Sequence, residues 1–328
     1  MNAWPENPVL VEVWRGGVGT DVLESVHRGA LVVLGADGAP LLEVGDVARP
    51  VLPRSSNKPV QATALLAAGW RPRTDGELAV GAASHNGEDG HVELVRSVLT
   101  AAGLTPDDLQ CPPDLPMHEA SRRAALVAGT PPAPLYMNCS GKHAAMLTTC
   151  VRNGWPTATY RDPGHPLQVA IRRTVEELAG ERVGGVAVDG CGAPLFGITL
   201  TGLARAFRAI ALAEEGSVEH WIRTAVHAYP EWVGGTGSDV ARLLRALPGA
   251  VAKDGAEGVH AIGLPDGRAV ALKIADGSAR PRSVVMVAAL RRLGVTSDAL
   301  DALAAVPVLG HGAPVGAVLP TDAVTKIM

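Results

Sequence analysis

Lysine is scarce in this chain. Of 29 basic residues only five are lysine, namely Lys58, Lys142, Lys253, Lys273 and Lys326, and the other 24 are arginine. Where charge alone is needed the chain uses arginine, so each lysine invites the question of what arginine cannot do, which is to give up a proton at tolerable cost. Lys253 and Lys326 read as compositional background. Clusters of basic residues are missing too, and the net charge is -4, so neither a nucleic-acid partner nor an anionic membrane is expected. Long apolar runs are absent. Stretches such as Val284–Leu290 fall far short of the roughly 20 residues that a bilayer span needs. The opening residues show no basic segment followed by an apolar one, so a cytoplasmic location is expected. Four cysteines, Cys111, Cys139, Cys150 and Cys191, are too few for a disulfide framework in a chain this long, and reduced thiols are expected.

What is present is core material and a pattern. The chain is 47% hydrophobic and 19% charged, which excludes disorder. Val9–Trp14 is rich in strand formers, and Ala30–Leu34 followed by Asp37-Gly38 and Pro40–Gly45 predicts a hairpin. Helical periodicity fills the middle, with helices closed by Gly69, Gly103, Gly129, Gly154 and Gly180. A second hairpin is predicted from Gly258–Leu264 and Ala269–Ala275 around Asp266-Gly267, with Pro281–Gly294 as a helix on that sheet. The expected class is α/β (α+β): one antiparallel sheet built from both termini, covered by helices, with a mostly helical insertion. A single catalytic domain over 1–328 is expected, with a sheet region at 1–54 and about 183–328 and a helical region at about 55–182.

Chemistry is suggested first by Ser55 and Lys58. Pro59 tolerates only the first turn of a helix, so a helix must begin near Ser55 or Ser56. Residues three apart share a helical face, which puts a serine and a lysine in one cleft at a helix N-terminus. That is a Ser–Lys arrangement for nucleophilic catalysis, and a capping serine beside a lysine with its stem buried would give the same spacing. Ser84-His85-Asn86, a polar knot after an apolar run, is the second element, with Ser84 near Lys58 and with His85 and Asn86 as candidate substrate contacts; a helix-capping turn is the plainer reading. The third is Lys273. Alternation puts Val270, Leu272 and Ile274 on one face, and Ala269, Ala271, Lys273 and Ala275 on a small face suited to lining a cleft. Arg54 suits a substrate carboxylate or a structural ion pair equally. The glycine-rich Val233–Asp239 lacks the spacing and lysine of a phosphate-binding loop and reads as a mobile loop near the cleft.

Ser-x-x-Lys, then Ser-x-Asn, then a late-strand lysine: this order resembles the serine β-lactamases and penicillin-binding proteins. Trp14–Gly29, Pro53–Ala62, Ala83–Glu88, Asn138–Leu147 and Val188–Pro194 together resemble the bacterial L-asparaginase II family of the Rhizobium type, over nearly the whole chain and in order. The resemblance implies a serine β-lactamase-like fold and hydrolysis of L-asparagine to L-aspartate and ammonia. It implies Ser55 as nucleophile paired with Lys58, and Ser84 paired with Lys273. It implies zinc held by Cys139, Lys142 and Cys191; Asp189, close by in sequence, is a candidate to join through water, and the metal is expected to position substrate. It also implies a homodimer. On a helix, His143 should point about 100° away from Lys142. The alternatives are another β-lactamase-like hydrolase (glutaminase, esterase or peptidase) and a non-catalytic sensor that stays acylated.

Overall fold

In a computed structural model the protein is described over residues 6–16 and 19–326. Residues 1–5 at the N-terminus, and Gly17 and Val18 of the Trp14–Gly29 motif, lie outside the described residues.

The chain opens with three strands, β1 (Val9–Gly16), β2 (Asp21–Leu34) and β3 (Pro40–Val44). The β2–β3 hairpin turns where Asp37-Gly38 predicts it, with Gly38 at φ +86°, a conformation that glycine adopts without steric cost. Helices α1 (Lys58–Ala67), α2 (Asp75–Gly81), α3 (Asp89–Thr100), α4 (Glu119–Val127), α5 (Ser140–Asn153) and α6 (Pro166–Ala179) follow. A small hairpin, β4 (Gly185–Val188) and β5 (Pro194–Gly197), leads to α7 (Leu200–Ala211), α8 (Val218–Ala228), α9 (Pro230–Gly234) and α10 (Asp239–Ala246). The last third returns to strands: β6 (Val251–Gly255), β7 (Val259–Gly263) and β8 (Ala269–Ile274), then α11 (Arg282–Arg292) and α12 (Asp298–Ala304), then β9 (Pro307–Gly310), β10 (Ala313–Pro320) and the short α13 (Asp322–Thr325).

The strands from both ends form one antiparallel sheet in the order β6-β7-β8-β2-β1-β10-β9, with β3 also paired to β2. β1 pairs with β10, so the two ends of the chain are neighbours. This is the α/β architecture expected from the sequence, with the helical stretch α1–α6 between the N-terminal strands and the later ones.

The small face of β8 differs from expectation. It does not line a cleft along its length, because Ala269 and Ala271 are fully buried. In register, Gly263 pairs with Ala269 and Ala261 with Ala271, which makes a smooth patch. Helix α7 lies on it so closely that a Cβ on Gly263 would come within 2.3 Å of the Phe207 carbonyl oxygen. Small side chains here admit a helix backbone rather than a ligand.

Candidate active site and metal centre

The polypeptide enters α1 through a strained turn. Arg54 has φ +52°, a left-handed conformation that costs a non-glycine residue on the order of 1 kcal/mol or more. A 3₁₀ turn, Arg54–Asn57, then carries Ser55 and runs into α1, where Pro59 occupies the first turn. Strand β6 ends against this turn. A Cβ on Gly255 would lie 2.8 Å from the Pro53 carbonyl oxygen and 3.0 Å from the Ser56 nitrogen. The close approach places Gly255 and its neighbours beside Ser55.

Lys58 is almost completely buried. Its Nζ donates to the Ala83 carbonyl oxygen at 2.5 Å and to Ser84 Oγ at 2.9 Å. Ser55 and Ser84 line one cavity of about 250 Å³, together with Met117, Asn138, Asp254, Gly255, Glu257 and Arg282. The structure therefore brings Ser55, Lys58 and Ser84 together, as the motifs suggest, but it connects Lys58 directly to Ser84.

Lys273 is placed elsewhere. It lines a different cleft with Arg49, Arg54 and Glu257, and its Nζ donates to the carbonyl oxygens of Glu257 and Ile274. The expected Ser84–Lys273 pair is corrected on this geometry. The lysine behind the serine cavity is Lys253, which by sequence alone reads as compositional background. Lys253 is fully buried on β6, and its Nζ bonds Asp254 Oδ1 at 2.6 Å. Asp254, in the cavity wall, also pairs with Arg282 at 3.1 Å. Burial lowers the Lys253 pKa; Asp254 opposes this, and the nearby charge of Lys58 lowers it further. A signal for Lys253 was present in the sequence. Lys253-Asp254-Gly255 ends a strand as a Lys-x-Gly unit, like the third motif of the β-lactamases, whereas Lys273-Ile274-Ala275 does not.

His85 is also corrected. It is buried, and its Nδ1 accepts the Gly87 N–H, so Nε2 carries the proton toward Ser140 Oγ at 2.8 Å. It stacks on His91 at 5.1 Å, and burial holds its pKa well below the usual histidine range. Both ring nitrogens are committed to the scaffold, so it cannot contact a substrate. Asn86 packs its side chain under Gly235, where a Cβ would come within 2.1 Å of Asn86 Nδ2. It faces the glycine-rich Val233–Asp239 segment and is not in the cavity wall. That segment accepts the Ser84 N–H at the Val233 carbonyl, and Thr236 donates to Glu88, so it braces the loop that carries Ser84. Arg54 makes ion pairs with Asp189 at 2.9 Å and Glu257 at 3.6 Å, which favours the structural alternative for this residue.

Beside the cavity lies the sulfur cluster. Ligand atoms of Cys139, Asp189 and Cys191 fall within 4.8 Å of one another, and Lys142 Nζ lies 3.1 Å from Cys191 Sγ. α5 supplies Lys142 from its first turn, with Cys139 capping it, and the β4–β5 turn supplies Asp189 and Cys191. The Cys139 hydrogen bond is the main cause that pushes the Cys191 thiol pKa far down; burial opposes it, and Lys142 and His143 help. Burial works against the Lys142 ammonium, but Cys191, Cys139 and Asp189 more than offset it and raise its pKa. His143, next to Lys142 on α5, meets the Tyr160 hydroxyl with Nδ1 at 2.5 Å. Two thiols, a carboxylate and an amine converging in a buried corner are a donor set that suits a zinc ion.

A buried lysine between two half-buried serines at the mouth of a helix, facing the end of an antiparallel sheet, defines an α/β protein with the parts of a serine hydrolase site. The L-asparaginase II family model matches residues 11–320, and the chain belongs to that family. It is thus an asparaginase or a related hydrolase. Among solved structures it is similar to a candidate beta-lactamase from Bacteroides dorei DSM 17855, at 15% identity over 75% of this chain and 84% of that one, with TM-score 0.40. It is also similar to a beta-lactamase from Mycobacterium bovis, at 16% identity over 76% and 88% of the two chains, with TM-score 0.39. No curated protein matches it.

Proposed function

We propose that the chain is an L-asparaginase that cleaves the side-chain amide of L-asparagine with Ser55 as nucleophile. The observation that carries this reading is the buried Lys58 amine hydrogen-bonded to Ser84 in the cavity that Ser55 lines. In its free-amine form Lys58 takes the Ser55 proton as Oγ bonds to the amide carbon. The Ser55 backbone N–H, at the start of the 3₁₀ turn, is placed to hold the oxyanion. The C–N bond then breaks, and the proton returns from Lys58 through Ser84 to the departing ammonia. The aspartyl ester left on Ser55 is hydrolysed by water, with Lys253 as the second amine behind the same wall.

Cys139, Lys142, Cys191 and Asp189 would hold zinc, which supplies positive charge beside the cavity and so helps to orient a polar substrate. Lys142 must lose its proton to serve as a ligand, so metal affinity should rise with pH. The homodimer implied by the resemblance and the cytoplasmic location expected from the sequence remain part of this proposal. The test is ammonia release from asparagine and glutamine, together with colour release from a chromogenic β-lactam. Asparagine should be the preferred substrate. Turnover of the β-lactam alone would overturn the reading.

A further inference from the structure

The substrate just proposed carries a carboxylate close to the amide that reacts, and the cavity must meet it with a cation. Lys142 belongs to the sulfur cluster, and four other cations lie near. Lys58 is committed to Ala83 and Ser84, and Lys253 is enclosed against Asp254. Arg54 is held by Asp189 and Glu257. Arg282, the first residue of α11, is different. It lines the serine cavity with its side chain 13% exposed. Its Nη1 donates to the Gly255 carbonyl oxygen at 2.8 Å and pairs with Asp254 Oδ2 at 3.1 Å. Its Nη2 makes no hydrogen bond among the described residues, and its Nε is buried without a partner.

The geometry points to Arg282 as the residue that receives the α-carboxylate of a free amino-acid substrate; this rests on the asparaginase reading. Three observations converge. Arg282 shares a cavity of about 250 Å³ with both serine hydroxyls, so one small molecule can touch all three. Its position is fixed by the Gly255 carbonyl, at the end of the strand that abuts Ser55, so the fork is held relative to the nucleophile. Asp254 is shared between Lys253 and Arg282, and only Nη1 of Arg282 is engaged by it, so the guanidinium keeps donors for an incoming anion. The acidic groups in the wall are Asp254 and Glu257, and Glu257 is paired with Arg54. A guanidinium offers five donors, and those not used by the protein suit a carboxylate. The enzyme should therefore act on free asparagine and discriminate against asparagine whose carboxylate is masked.

The experiment compares ammonia release from L-asparagine and from its α-methyl ester by wild type, Arg282→Gln and Arg282→Lys. Wild type should prefer the acid. Arg282→Gln should lower kcat/KM for asparagine about 10- to 100-fold, chiefly through KM, and the preference for acid over ester should fall by the same factor. Arg282→Lys should recover part of that preference. Equal losses on both substrates would overturn the inference, because Arg282 would then act only by positioning Asp254 and Lys253. If Arg282→Gln fails to fold, as judged by circular dichroism, wild type still decides: a preference for acid over ester of less than about threefold overturns it. Wild type that releases no ammonia from asparagine would sink the asparaginase reading and this inference with it. An active wild type whose preference survives Arg282→Gln sinks the inference alone.

Discussion

Lys58 is the only charged residue of α1, and it is buried with its amine on Ser84. Burying an amine is costly unless it is bonded, and here two oxygens bond it. Lys253 is buried in the same way, beside Asp254. Replacing Lys253 with methionine should lower kcat for asparagine by about 10²- to 10⁴-fold. Lys273→Met should leave kcat within about threefold, because that amine is held by Glu257 and Ile274 in the other cleft. Steady-state ammonia release separates the two lysines, and the reverse ranking would restore Lys273. At this scale the sequence was only partly legible. Ser55, Lys58 and Ser84 were found from spacing and from a scarce residue type. Lys253 was missed because burial on a strand end is a property of the sheet, and alternation alone gave Lys273 the better face. His85 reads as a substrate contact because nothing local shows that Gly87 and Ser140 occupy both of its nitrogens.

At the scale of elements, glycines set the distances. Gly255 lets β6 touch the serine turn, and Gly263 lets α7 settle on β7. Gly255→Ala should therefore lower kcat more than it lowers stability, since the added methyl pushes β6 away from Pro53 and Ser56. Gly263→Ala has only backbone to push against and should cost about 1–3 kcal/mol in urea unfolding, with little effect on KM. The two predicted hairpins and the ends of α1, α3, α4, α5 and α6 were readable from Asp-Gly turns and closing glycines, because those signals are local. The small face of β8 was misread as a cleft wall. A patch of alanine and glycine suits a ligand or a helix equally well, and only tertiary packing chooses α7.

For the whole molecule, antiparallel closure of β1 on β10 draws the ends of the chain into one sheet; a sheet built from both ends was legible from the strands up to Ala275, but β9 and β10 were not. What it encloses includes histidines held neutral. Burial, helped by the charges of Arg282 and Lys253 against the opposing pull of Asp254, lowers the His260 pKa to about 3, and burial lowers those of His85 and His143 too. Between a folded value of about 3 and an unfolded value of about 6.5, the unfolded chain binds more protons, so stability falls as pH drops through that window. Urea unfolding at pH 5 should give a free energy lower than at pH 7 by at least about 1 kcal/mol, and His260→Phe should reduce that difference. Purified protein should carry about one zinc per chain, and Cys191→Ser should lose it by metal analysis. The most direct test of the account is ammonia release from L-asparagine by wild type and by Lys58→Arg, which keeps the charge but cannot act as a base. Wild type should be active, and the variant should fall by at least about a hundredfold with its fold intact. A Lys58→Arg protein that hydrolyses asparagine at the wild-type rate would contradict the proposed serine–lysine chemistry.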